Sequence, residues 1–266
     1  MSLPNVNITL GNGNIGTVTL SDDGIAGLIL TGSAVEGKLA LNKVYVLSSS
    51  NDLSKLGIDK ESNPLVYKDV SAFYTTAGDG AELHLLVVSE ATTLTQICST
   101  EAGSPLQTLI DSAAGRIRLV GVNRNAPASY TPTLEKCIDK DVITAIAAAQ
   151  SVVKAYMEKI APFVVLLPAI AWSGETDSLY QPREGSQNSV SVVLASDGLF
   201  GGSKLYSAAI GQVLGRAATC AVNISIGRVK DGSIAADGYL TDGKKPEEDY
   251  NLWNILHDAG YIFYRT

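Results

Sequence analysis

The chain has 266 residues, of which 45% are hydrophobic and 18% charged, a balance typical of a globular protein with one large domain or two. Its formal net charge of -7 argues against nucleic acid as a partner, since a nucleic-acid groove binder needs a basic footprint. The longest apolar run, residues 161–172, is too short to cross a bilayer and contains two prolines, which argues against membrane insertion.

The first 24 residues are predicted to form a β-hairpin or arm. The stretches NVNITL and GTVTL alternate apolar and polar residues on either side of the turn-forming stretch GNGN. The start of the chain lacks the charged and apolar regions of a signal peptide, so we expect a protein that folds in the cytoplasm.

Residues 25–103 are predicted to form the first α/β part of the core. GIAGLILTG and KVYVLSS are apolar enough to be buried strands, and AELHLLVVS reads as a third strand. The stretch SNDLSKLGI predicts a short helix with Ser50 or Asn51 as its N-cap. A longer helix is predicted to start at Pro64 and to end at Gly78.

Residues 104–249 are predicted to form the main domain, in which helices and strands alternate. The longest helix has Asp139 as its N-cap, and apolar residues spaced four and three apart give it one buried stripe: Val142, Ile146, Ala149, Val153, Tyr156 and Ile160. Strands are predicted for RIRLVGV, PFVVLLPAI, SVSVVLAS and CAVNISIG, and a small-residue helix that packs closely on a sheet for KLYSAAIGQVLGRAA. This alternation predicts an α/β fold with a mixed, mostly parallel sheet flanked by helices.

Residues 250–266 are predicted to be the start of a C-terminal region. Leu252, Ile255 and Leu256 share one helix face, and the aromatic stretch Tyr261–Tyr264 has the composition of a strand. Chain ends are usually polar and frayed, so an apolar strand at this position needs a partner. The strand either closes the sheet of its own domain or leads into a segment that reaches a neighbouring chain.

No group of residues in the sequence supplies a catalytic, metal or cofactor site. The histidines His84 and His257 lack a second ligand at metal spacing and are predicted to be structural. Ser173 has acidic neighbours but no nearby histidine, and the polar loop at residues 172–188 that contains it is predicted to be an exposed surface. The string GNGNIG matches a dinucleotide-binding pattern but lies in a hairpin pattern, without the helix that such a site needs. We therefore predict no enzymatic activity and no cofactor, with the three cysteines as buried free thiols. The alternative is a nucleotide- or small-molecule-binding protein that uses the glycine-rich loop at residues 196–205.

Five stretches of the chain carry a resemblance to a known family: residues 22–58, 66–88, 111–122, 206–227 and 250–266. Their order resembles that of contractile phage tail sheath proteins, a family that includes the sheaths of prophage and related contractile injection systems. The resemblance implies a subtilisin-like fold for the main domain. It implies no protease chemistry, because the sequence contexts of a Ser-His-Asp triad are absent.

The same resemblance implies a structural subunit that polymerises around a tail tube and contracts to drive it into a target cell. Its partners would be other sheath subunits, joined by strand exchange, and the tube, baseplate and tail terminator proteins of a virion tail assembled in the host cytoplasm. Subunit contacts are expected at Val6, Ile8, Leu10, Tyr261, Ile262, Phe263 and Tyr264. Sheath proteins usually continue past the last matching stretch, so we expect the terminal strand to lead into a further segment. Another tail or tube component is the remaining alternative.

Overall fold

A seven-stranded sheet forms the centre of the fold in the computed structural model, which describes residues 24–198, 208–220, 224–235, 237–246 and 249–264. Its strands are β1 Ala26–Gly32, β2 Val44–Leu47, β3 Leu83–Ser89, β4 Leu119–Asn123, β7 Val164–Pro168, β8 Val190–Val193 and β11 Tyr261–Ile262. They lie in the order β11-β8-β7-β4-β1-β3-β2. Two short ribbons pair β5 Leu134–Glu135 with β6 Ile138–Asp139, and β9 Ala195–Ser196 with β10 Tyr239–Leu240.

The sheet is parallel except at one edge, where β2 runs antiparallel to β3. This confirms the predicted α/β class with a mixed, mostly parallel sheet. The prediction that β2 is buried is wrong, because β2 is an edge strand and the Val46 side chain is 62% exposed. An apolar run of four or five residues has the same composition in the middle of a sheet and at its edge, so sequence periodicity does not separate the two positions.

Helices cover both faces of the sheet, and each face has its own apolar cluster. One face carries α1 Asp52–Lys55, α2 Pro64–Ala77 and α6 Ile210–Thr219, and the other carries α3 Leu94–Ile97, α4 Pro105–Ser112, α5 Lys140–Lys159 and α7 Tyr250–Ala259. The strands between them are buried on both sides, as in β1, whose seven residues are all buried. Burial of apolar surface on both faces contributes about 25 cal/mol for each Å² removed from water, and it is the main force that holds these layers together.

The N-terminus of α5 follows its sequence signals, whereas its C-terminus does not. The Asp139 carboxylate accepts a hydrogen bond from the Asp141 main-chain N–H at 3.1 Å, which confirms the predicted N-cap. The stripe is buried at Val142, Ile146, Ala149 and Val153. Ile160 is 52% exposed, so its predicted burial is wrong. The helix ends at residue 159, and Ile160 therefore leaves the face that the helical period assigned to it.

The small residues of α6 allow it to approach α2 closely. A Cβ atom added to Gly211 would lie 2.0 Å from the Asp69 carbonyl oxygen, and one added to Gly215 would lie 2.7 Å from that of Phe73. The prediction of close packing is thus realised mainly against a neighbouring helix. Both glycines face the α2 main chain, which leaves no room for a side chain at either position.

The strand predicted for CAVNISIG, residues 220–227, is absent from its described part, because Cys220 and residues 224–227 form bends and turns. The position beside β8 is occupied by β11, which pairs with it in parallel. The segment that joins the sheet after α6 is therefore the C-terminal pair Tyr261–Ile262. The strand predicted over the four residues Tyr261–Tyr264 thus has only two residues.

The strands of the single central sheet come from three of the predicted parts of the chain. The sheet takes β1, β2 and β3 from residues 25–103, β4, β7 and β8 from residues 104–249, and β11 from residues 250–266. Strand β1 pairs with both β3 and β4, so main-chain hydrogen bonds cross the predicted boundary at residue 103. The predicted hairpin falls in residues 1–24, and residues 1–23 lie outside the described part of the chain.

Candidate functional site

Strand β11 forms one edge of the seven-stranded sheet, and nothing else in the described part of the chain pairs with its outer side. The Leu194 N–H donates to the Ile262 carbonyl at 2.8 Å, so the Ile262 main chain faces inward to the sheet. Because main-chain groups alternate sides along a strand, those of Tyr261 and Phe263 face outward. This edge can accept a further strand through its main chain.

The side chains around β11 are anchored in their own domain. The Tyr261 hydroxyl donates to the Tyr180 carbonyl at 2.7 Å, and the Tyr264 hydroxyl donates to the Gln212 side chain. Burial raises the pKa of both phenols above the usual value, which keeps them protonated as donors. Ile262 and Phe263 are half-buried. Of the two roles considered for the terminal strand, Tyr261–Ile262 therefore has the first: it closes the sheet of its own domain.

Strand β2 forms the opposite edge, a feature that sequence reasoning missed. Val46 pairs with His84 of β3 and exposes most of its side chain to solvent. The charged residue Lys43 precedes the strand, and its ammonium group lies 5.3 Å from the Tyr45 ring centre. A lysine beside a short strand is a common feature of sheet edges, and it is the signal from which this edge could have been recognised.

A buried polar cluster lies at the carboxyl end of β4, where ligands bind in many parallel sheets. The Asn123 amide donates to Asp69 Oδ2 at 2.7 Å and to the Ala208 carbonyl at 2.8 Å. Lys68 Nζ lies 3.3 Å from Asp69 Oδ1 and 3.6 Å from Asp197 Oδ2. Burial raises the pKa of the Asp69 carboxyl, against the opposing effect of the Lys68 charge. Both Asp69 oxygens have donors within the protein, so this cluster joins α2 to β4 and to the start of α6.

A second polar cluster at the same end of the sheet holds the N-termini of two helices. Asp141 accepts from the Leu94 N–H at 2.8 Å and from the Thr95 hydroxyl at 2.7 Å, and it contacts Arg124 at 3.4 Å. The Tyr130 hydroxyl donates to the neighbouring carboxylate Asp139 at 2.6 Å, and burial raises its pKa to about 12. Asp141 thus holds the N-terminus of α3, while Asp139 also caps α5, so each of the two carboxylates has a structural role.

The two histidines are predicted to be structural, and neither belongs to the two polar clusters. His84 is buried, and its Nε2 lies 2.8 Å from the Glu82 carboxylate, which also binds Arg116 at 2.9 Å. His257 is exposed on α7. In the described ranges, no three His, Cys, Asp or Glu residues lie close enough together to hold a metal ion.

The loop at residues 172–188 is less exposed than its polar sequence predicts. Trp172 is 4% exposed and donates through its indole to the Glu175 carbonyl at 3.1 Å. Ser173 is exposed, and its hydroxyl accepts a hydrogen bond from the Glu175 N–H at 3.2 Å. The predicted exposure of the whole loop is thus wrong at Trp172, whose apolar ring joins the core cluster.

Several residues that were predicted to form contacts or a binding loop lie outside the part of the chain that the structure describes. Val6, Ile8 and Leu10 lie outside the described residues, as do residues 199–205 of the glycine-rich loop. Of the three cysteines, Cys98 is buried, and burial raises its pKa to about 12. Cys137 and Cys220 are half-buried. The thiols are free, as predicted, but full burial is correct only for Cys98.

A family model described as DUF2586, N-terminal domain, matches residues 3–266. A search of the curated proteins finds no match. Over the residues that the structure describes, no helix has the length and the apolar character needed to cross a membrane.

Among solved structures, the chain is similar to the helical sheath of the anti-feeding prophage in its contracted state, studied by cryo-electron microscopy. The identity is 15% and the TM-score 0.43, over 81% of this chain and 51% of the sheath chain. The chain thus spans about half the length of the sheath protein that it matches.

Proposed function

The chain belongs to the DUF2586 family, and we propose that it is a structural, non-enzymatic subunit of a contractile tail sheath. In this role it polymerises around a tail tube, and the polymer contracts to drive the tube into a target cell. The order of the five sequence stretches that resemble sheath proteins supports this proposal. Its site of action is the tail of a virion or a related particle, with tube, baseplate and terminator proteins as neighbours.

The observation that carries the proposal is that a single sheet, within the described part of the chain, has two open edges, β2 on one side and β11 on the other. Two different edges support head-to-tail contacts, and a head-to-tail contact that does not close into a ring produces a helical polymer. Strand addition at such an edge uses main-chain hydrogen bonds for affinity and side chains for register.

The strength of such contacts suits a lattice that must rearrange. A strand of five residues adds about four or five hydrogen bonds, each worth roughly 0.5–1.5 kcal/mol net. Each link therefore contributes a few kcal/mol, which is weak for a free dimer and sufficient where every subunit makes several links. We expect the isolated subunit to be a monomer or a small oligomer at low concentration.

The proposal is tested by electron microscopy of the purified full-length protein at rising concentration, alone and with the tube protein encoded beside its gene. We expect tubes or stacked rings. Neither tubes nor rings under any of these conditions, together with flanking genes that encode no tail parts, would show that the proposal is wrong.

The role of the β2 edge is tested with a matched pair of variants. Val46→Lys places a charge on the open edge, and Met157→Lys makes the same change on α5, where the side chain is 55% exposed. Both variants should fold, because both side chains already face solvent. Only Val46→Lys should reduce assembly, and equal assembly by both variants would exclude β2 as a contact.

A further inference from the structure

An apolar groove lies at the amino-terminal ends of the central strands, on the α6 face of the sheet. It has a volume of about 440 Å³. Besides the buried Phe163, six apolar residues line it, from the starts of β4 and β7, the end of α6 and the turn after it: Leu119, Pro162, Val164, Ala217, Ile224 and Ile226. Pro162 is exposed, and the other five are half-buried, so the groove presents apolar surface to solvent.

The N-terminal part of the chain meets the described fold beside this groove. Ile25 accepts a hydrogen bond through its carbonyl from the Arg118 N–H at 3.2 Å, and Ala26 pairs with Leu119. Residue 24 therefore lies next to the strand end that forms one wall of the groove. Residues 11–23, fully extended, span at most about 45 Å, so residues 6–10 can reach any part of the groove.

The chemistry of residues 5–10 matches a groove that is apolar inside and open to solvent. In an extended conformation Val6, Ile8 and Leu10 point to one side, and Asn5, Asn7 and Thr9 to the other. Residues 1–10 contain no charged side chain, so docking them would bury no unpaired charge. The Arg118 guanidinium at the groove wall already donates to the Gly115 carbonyl.

We propose that residues 6–10 of the chain dock in this groove of the same molecule, with Val6, Ile8 and Leu10 facing inward. A tethered segment has an effective concentration in the millimolar range, which favours its own groove over that of another molecule at micromolar concentration. This inference goes beyond the proposed sheath function and does not depend on it. If the chain also assembles through Val6, Ile8 and Leu10, undocking of this segment precedes the contact.

Cys220 lines the groove and supplies a native thiol for the test. Each residue from 5 to 10 is changed in turn to cysteine in a Cys137→Ser background, and disulfide formation with Cys220 is followed on non-reducing gels at micromolar protein. The cysteine at whichever of positions 6, 8 and 10 docks nearest Cys220 should form a disulfide within the monomer at least tenfold faster than the cysteines at 5, 7 and 9. Equal rates at odd and even positions, or disulfide-linked dimers in place of intramolecular products, would overturn the proposal.

A matched pair of variants in α6 tests whether the groove itself causes the cross-linking. Ala217→Glu places a charge in the groove, whereas Thr219→Glu places the same charge on the exposed side of the helix. In the background of the fastest of these cysteine variants, the first should slow disulfide formation at least fivefold, and the second should leave it unchanged. Thermal unfolding in reducing buffer identifies variants that fail to fold. If the folded Ala217→Glu protein cross-links at the original rate, the segment does not occupy the groove.

Discussion

Asp52 fixes the chain where it leaves the open edge strand β2. Its carboxylate accepts from the Ser48 N–H at 2.9 Å and contacts Lys55 Nζ at 2.6 Å. The hydrogen bond from Lys55, together with bonds from main-chain N–H groups, lowers the pKa of the Asp52 carboxyl to about 2. A carboxyl whose pKa is lower in the folded state adds stability above the unfolded value of 3.8, and this stability is lost as pH falls toward 2. Asp52→Asn should therefore be less stable than the wild type by about 1 kcal/mol at pH 5, with a smaller difference at pH 2.5.

Urea unfolding at the two pH values measures this difference. The variant Lys55→Gln removes the ion pair but keeps the main-chain bonds to Asp52, so it should lose only part of the pH-dependent stability. A difference between wild type and Asp52→Asn that does not change with pH would mean that the carboxylate charge contributes nothing there.

The close contact between helices α2 and α6 depends on the glycines of α6. In a solvated helix, Gly→Ala stabilises by up to about 1 kcal/mol, because alanine has the higher helix propensity. At Gly211 the new methyl group would lie 2.0 Å from the Asp69 carbonyl oxygen, so the helices must separate. Gly211→Ala should therefore destabilise the protein by at least about 2 kcal/mol, as chemical denaturation will measure.

Gly227→Ala is the control, because a Cβ atom there meets nothing closer than 3.8 Å. It should change stability by less than about 0.5 kcal/mol. If Gly211→Ala is as stable as this control, the two helices are not packed as tightly as described.

At the scale of the whole molecule, one sheet joins the predicted parts of the chain. Strand β1 pairs with β3 on one side and with β4 on the other, across the predicted boundary at residue 103. Unfolding should therefore be a single cooperative transition that coincides in circular dichroism and in the fluorescence of Trp172 and Trp253. Two separate transitions would indicate that residues 25–103 and 104–249 fold as independent units.

Local patterns predicted the elements whose signals lie within a few residues. These signals act through near neighbours, so they can be recognised along the sequence: the Asp139 cap, Pro64 at the start of α2, and the apolar runs of β1 and β7. The same reasoning failed for Val46, Trp172 and Ile160, because the exposure of each depends on which distant segment covers it. Two of the candidate contact residues, Tyr261 and Tyr264, are tied to Tyr180 and Gln212, which no sequence spacing indicates.

Composition and hydrophobic period depend only on residue type, and from them the sequence indicates a globular α/β protein with a negative net charge. Only the tertiary structure decided which strands form the edges. Tyr261–Ile262 pairs with β8 at one edge, and β2 lies at the opposite edge. Strand order is set by pairing energies between segments far apart in the chain, and the hydrophobic period that identifies a strand does not identify its neighbours.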